Sequence, residues 1–167
     1  MKTAEYWLKK LNLEKHPEGG WFKEVYKSCE TLKKEHLHER YSGPRHTGTS
    51  IYFLITDKEF SAFHRIKSDE IWHFYDGSAV TIHMINTDGN YSTVKLGNNF
   101  EAGEVFQFTI PHGVWFAGTV DEADSYALIG CTVSPGFDYD DFELGIREEM
   151  MKVFPMHKEI IKRLTRY

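Results

Sequence analysis

Between Thr49 and Val133 the chain is cut into short, mostly apolar runs by turn signals, and this segmentation constrains the fold more than any other feature. Ser50–Ile55, Ser61–Ile66, Glu70–Tyr75, Val80–Ile85, Tyr91–Leu96, Val105–Ile110, Val114–Ala117 and Ser125–Val133 each read as a strand. Asp57-Lys58, Lys67–Asp69 and Asp88-Gly-Asn90 separate them, and Asp76-Gly77 is a hairpin signal. Strands recurring every about 8–12 residues with turns between them predict a sandwich or small barrel.

The flanks differ. Residues 4–13 read as a short amphipathic helix, with Tyr6 or Trp7, Leu8 and Leu11 near one face and Lys9 and Lys10 between them. His16-Pro-Glu-Gly-Gly20 breaks it, and Trp21–Tyr26 reads as a first strand. Residues 28–48 are polar and charged, and predict a long, mobile, solvated connection. After Ser134-Pro-Gly136, residues 143–154 and 156–164 read as two short helices on either side of Pro155, with Asp138, Asp140 and Asp141 as turn and helix N-terminal acids.

A chain of 167 residues is expected to form a single domain, 1–167, able to bury a core without metal or disulfide staples. Cys29 and Cys131 are far apart and read as free thiols. A net charge of −5 excludes the basic footprint of a nucleic-acid binder. No apolar run reaches the about 20 residues of a membrane span, and the N-terminus carries no signal-peptide pattern. The expectation is a soluble cytoplasmic protein with neither nucleic acid nor membrane as partner.

Strand parity locates the candidate chemistry. His64 and Ile66 share one face of their strand, and Glu70, Trp72 and Phe74 share one face of the next. If both faces turn inward, His64 and Glu70 meet beside an indole as a candidate catalytic acid–base pair, since burial and pairing move both pKa values toward the working range. A structural His–Glu hydrogen bond at the barrel mouth is the competing reading. Trp72 and Trp115 are candidate stacking walls, His83 and Gln107 candidate ligand contacts, and Glu18 with Gly20 a candidate segment at the barrel opening. His73 has the opposite parity and is expected to face away.

The spacing from His64 through Glu70 to Gly77 resembles the first motif of the cupin superfamily, and Pro111-His-Gly113 resembles part of the second. Of the usual metal-ligand positions the chain keeps His64 and Glu70, while Ile66 and Phe116 replace the other two. Two protein ligands are few for a divalent ion, where catalytic zinc usually has three. The ordered blocks His16-Pro-Glu-Gly-Gly20, Ser68-Asp-Glu-Ile-Trp-His73 and Gly130-Cys-Thr-Val-Ser-Pro-Gly-Phe-Asp138 are similar to an uncharacterised cupin family over nearly the whole chain. The resemblance implies a mainly β fold: a cupin jelly-roll barrel, or double-stranded β-helix, with a short N-terminal helix and two short C-terminal helices, often paired as a homodimer.

Three functions stay open. The first is a small-molecule site without cofactor, isomerase-, epimerase- or lyase-like or binding a sugar-nucleotide-like metabolite, with His64 as base and Glu70 sharing its proton. The second is a metal enzyme using His64, Glu70 and a non-standard ligand such as His73 or His83. The third is a non-catalytic metabolite-binding module.

Overall fold

The computed structural model describes residues 2–167. Helix α1 (Ala4–Leu11) begins where the Thr3 hydroxyl accepts the Tyr6 N–H at 3.2 Å. It ends two residues earlier than the pattern suggests, because Asn12 turns left-handed at φ 54° and its N–H closes on the Leu8 carbonyl. The strands follow as β1 (Glu14–Lys15), β2 (Trp21–Lys27), β3 (Thr31–Leu32), β4 (Arg45–His46), β5 (Thr49–Thr56), β6 (Phe60–Arg65) and β7 (Asp69–Gly77). Next come β8 (Val80–Ile85), β9 (Tyr91–Leu96), β10 (Gln107–Ile110), β11 (Trp115–Val120), β12 (Tyr126–Ser134) and β13 (Glu143–Leu144). Helices α2 (Arg147–Val153) and α3 (Lys158–Leu164) close the chain.

A six-stranded sheet runs β1-β2-β5-β12-β7-β10 and a five-stranded sheet runs β13-β6-β11-β8-β9. Every strand pair in them is antiparallel. The chain changes sheet at β5 to β6, at β6 to β7 and again at β7 to β8. The result is the mainly β jelly-roll barrel with three helices that the blocks imply. Phe53, Ile82, Leu96, Phe116 and Ile129 fill the space between the sheets. Gly118 leaves room there for the Trp72 ring, which a Cβ would approach to 2.9 Å. A second cluster, Phe63, Ile85, Trp115, Met150, Ile161 and Leu164, packs α2 and α3 onto the outer face of the five-stranded sheet.

Three expectations change. Asp76-Gly77 is no hairpin, because β12 and β10 already flank β7 and leave β8 no edge to join. Gly77, at φ 99°, instead carries the chain over the Tyr126 carbonyl toward the other sheet. The expected helix from 143 starts only at Arg147, because Glu143 and Leu144 pair with Arg65 and His64 and the Gly145 N–H bonds the Phe63 carbonyl at 2.7 Å. The 28–48 connection is largely exposed, as expected, but it is anchored at a few positions. Strands β3 and β4 pair, Tyr41 is buried with its hydroxyl 3.0 Å from Ser68 Oγ, and the buried Arg45 guanidinium donates to both Asp141 oxygens at 2.6 Å. Asp141 is therefore half of a buried ion pair, not a helix N-terminal acid. Cys29 and Cys131 are free thiols, the first exposed and the second buried. Among the described residues no helix is long and apolar enough to cross a membrane.

Candidate functional site

A cavity of about 120 Å³ opens into one end of the barrel. Its wall from the six-stranded sheet is the inward set of side chains from neighbouring strands. Phe22 and Glu24 come from β2, Ile51 and Phe53 from β5, Glu70 from β7, and Cys131 and Val133 from β12. The opposite wall is β6, which supplies His64.

Glu18 enters from the turn between β1 and β2. That turn presses so close to the barrel that a Cβ on Gly19 (φ 114°) would strike the Phe60 carbonyl and the Arg166 guanidinium, and one on Gly20 would lie 2.7 Å from the Leu54 carbonyl. Glycine is therefore required at both positions. Arg166 Nε donates to the Glu18 carbonyl at 3.2 Å and its Nη2 to the Phe60 carbonyl at 3.0 Å, pinning the turn from the C-terminus.

A β-bulge on β6 completes the arrangement. His64 faces Phe116 and Ser61 faces Gly118, so two residues on β6 stand between these pairs and only one on β11. Ser61 and His64, three apart, would lie on opposite faces of a regular strand; the extra residue brings both to Glu18. Ser61 Oγ donates to Glu18 Oε1 at 2.7 Å, and His64 Nε2 stands 3.1 Å from Glu18 Oε2. Within the bulge the Ala62 N–H donates to the Glu18 carbonyl at 2.9 Å, and the Ala62 carbonyl lies 2.8 Å from His64 Nδ1.

These contacts fix the proton count. A carbonyl only accepts, so His64 Nδ1 carries a hydrogen. Nε2 then faces a carboxylate oxygen, and the contact is favourable only with one proton between them. Burial lowers the His64 pKa against the opposing pull of Glu70, while burial raises that of Glu18 against the pull of His16. Both shifts favour the uncharged arrangement, with the proton on Glu18. His16 Nδ1 lies 3.4 Å from Glu18 Oε2, and burial lowers its pKa as well.

Glu70 forms the far side. Its Oε1 accepts the Trp72 indole N–H at 2.9 Å, and burial raises its pKa to about 6, with the His64 charge opposing. Burial also pushes the Cys131 thiol beside it upward. At the mouth Phe137, Tyr139 and Phe142 form an aromatic collar, with ring centroids 5.1 to 6.2 Å apart, and His16 stacks on Tyr139 at 6.5 Å.

Of the residues singled out in the sequence, His64, Glu70 and Glu18 line this cavity and Gly20 shapes the turn that delivers Glu18. Trp72 lies beneath Glu70 with its ring in the core. His83, Gln107 and Trp115 lie elsewhere. His83 sits among Tyr91 (2.7 Å) and Thr119 (3.0 Å) on the five-stranded sheet, with its pKa pushed down to about 4 chiefly by burial. Trp115 packs under the C-terminal helices with Arg65 over its ring, and Gln107 is exposed on the edge strand β10 opposite His73. Sequence parity misses His16, Cys131 and the collar. His16, Cys131 and Phe137 stand in two of the three blocks that resemble the cupin family, the signal that points to them, while Tyr139 and Phe142 lie beyond the blocks.

The donor set does not fit the metal that the cupin resemblance raises. Ile66 presents hydrocarbon to the cavity, the Phe116 ring lies 4.0 Å from that of His64, and both His64 nitrogens already have partners. Among the described residues no group of three or more His, Cys, Asp or Glu side chains is arranged to hold a metal ion.

A family model described as Cupin superfamily (DUF985) matches residues 5–145. An uncharacterized protein of Saccharomyces cerevisiae is 33% identical over 149 residues, which cover 84% of this chain and 74% of the yeast protein. A hypothetical protein from Leishmania major has a solved structure that superposes with a TM-score of 0.90 at 37% identity, covering 99% of this chain and 100% of that one. A structure from Shewanella oneidensis superposes with a TM-score of 0.90 at 38% identity, covering 99% of each chain. Oxalate decarboxylase from Bacillus subtilis shares the fold alone, with a TM-score of 0.51 at 14% identity over 83% of this chain and 40% of that one.

Proposed function

Because the chain belongs to the DUF985 family of the cupin superfamily, whose relatives named above are uncharacterised, we propose a function from the cavity itself. The barrel binds a compact small molecule and moves a proton on it through side chains, without a metal. The observation that carries this reading is the 3.1 Å contact between Glu18 Oε2 and His64 Nε2 in a buried cavity wall, with Glu70 opposite.

The chemistry is proton removal and return next to a carbonyl, as in isomerisation or epimerisation. As Glu18 passes its proton to the carbonyl oxygen of the ligand, Nε2 of His64 is freed to take the proton from the adjacent carbon, its ring held by the Ala62 carbonyl. Glu70 lies opposite as a fixed carboxyl group that orients the ligand. Return of the carbon proton from His64 on either face, as the enol proton goes back to Glu18, restores the starting state of both groups. A cavity of about 120 Å³ is far smaller than pockets for drug-sized ligands and comparable to one that holds a benzene ring. The reacting part of the ligand is therefore of that size, and any nucleotide-like extension lies outside the collar.

The test is solvent deuterium exchange into a panel of small aldehydes and ketones, with and without an amino group, followed by proton NMR. The expected result is exchange at the carbon beside the carbonyl of at least one compound, lost in His64→Asn and Glu18→Gln. Equal exchange in both variants, or no exchange across the panel, overturns the reading.

A further inference from the structure

The cavity has carboxylates and no cation of its own. Glu18, Glu70 and Glu24 are among its lining side chains, and none of the lining residues is a Lys or Arg. Among the described residues the ion-pair partners of Glu18 are imidazoles, and Glu70 and Glu24 have none. Arg166 reaches the backbone oxygen of Glu18, not its carboxylate. Nearby basic groups are already matched by acids, Arg45 by Asp141, Arg65 by Glu143 and Lys67 by Asp141. The way in passes Phe137, Tyr139 and Phe142, whose ring faces attract cations.

We propose that this cavity is a receptor for a small organic cation, a protonated amine or quaternary ammonium group, held over the Glu70 carboxylate and enclosed by the rings of Phe137, Tyr139 and Phe142. The proposal rests on the reading that this cavity is the ligand site, and it names the ligand's class. The Glu70 carboxylate, once ionised, is buried without a counter-charge, which is costly, and an entering cation supplies the charge that the chain itself omits. A neutral molecule of the same shape gains ring contacts only, and an anion is repelled. Size agrees, since a trimethylated nitrogen fits the volume available.

Glu70 faces His64 from β6, Glu18 from the β1–β2 turn, Cys131 from β12 and the Trp72 indole on its own strand. Its ionisation near pH 6 makes cation binding tighten as the pH rises through that value.

The experiment is an NMR shift titration of the full chain with tetramethylammonium, tert-butanol and pivalate, which are close in shape and differ in charge. Tetramethylammonium should bind about tenfold more tightly than tert-butanol, the range expected of a partly desolvated cation–π and carboxylate site, with pivalate weakest. Glu70→Gln should weaken the cation several-fold. Tyr139→Leu, at an exposed position, should do the same and weaken tert-butanol less. Equal or tighter binding of tert-butanol or pivalate, indifference of the cation to both substitutions, or no binding of any probe overturns the proposal. Cation selectivity without deuterium exchange upholds it while sinking proton transfer; exchange with preference for the neutral probe does the reverse.

Discussion

Replacing Glu70 by Gln should stabilise the protein, and only above mildly acidic pH. In the fold the carboxyl holds its proton to about pH 6, against 4.5 for the ordinary group, because burial penalises the anion. Between these values the native state binds a proton that the unfolded state has released, so stability falls as the pH rises through the window. The gap amounts to about 2 kcal/mol, fully lost above pH 6. Gln carries no proton and still accepts the Trp72 N–H, so it escapes this loss. For a chain of this size about 2 kcal/mol is roughly 4–8 °C in Tm. Thermal unfolding of both proteins from pH 4.5 to 7.5 at constant ionic strength should show the variant's advantage growing by that amount and then levelling near pH 6.5. Other titrating groups occur in both chains, so the difference curve isolates Glu70. A flat difference, or one that shrinks with pH, refutes the assignment of a buried carboxyl with a raised pKa.

Further outcomes follow from single contacts. Asp141→Ala strands the buried Arg45 guanidinium and should cost about 3–5 kcal/mol in a denaturant titration; a loss below about 1 kcal/mol would mean the pair is solvated. Gly19→Ala and Gly103→Ala both place a side chain at positive φ, but the first also meets the Phe60 carbonyl while the second meets open space. Both should lose at least about 0.5–1 kcal/mol, with Gly19→Ala clearly the worse by thermal unfolding; equal losses would deny the tight seat of the Glu18 turn. A thiol reagent followed by mass spectrometry should modify exposed Cys29 well before Cys131, whose thiol is buried and pushed up in pKa; the reverse order would mean the cavity thiol is activated.

Much of the barrel is legible in the sequence because antiparallel strands advertise themselves by period and turn. Val80–Ile85 and Tyr91–Leu96 coincide with β8 and β9 for that reason, and the turn at Gly89 joins them as expected. Which sheet a strand joins is decided by which edges are already occupied, and that misled the reading of Asp76-Gly77. Parity brings His64 and Glu70 to one interior, but it cannot see the bulge at Ala62–Phe63 that turns both Ser61 and His64 toward Glu18. The partner of His64 is thus a residue from the His16–Gly20 turn, far away in sequence. The basic 28–48 segment reads as solvated because its counter-charge, Asp141, arrives from the other end of the chain.

The most direct test of the shared proton is nitrogen-15 NMR of the histidine side chains in the whole protein, with His64 assigned through His64→Asn, from pH 5 to 8. His64 should show a neutral ring with hydrogen on Nδ1, held below the ordinary imidazole pKa, and an Nε2 signal that moves when Glu18 becomes Gln. A His64 that titrates near 6.5 as a free imidazole does, or that carries its neutral hydrogen on Nε2 alone, would contradict the shared proton.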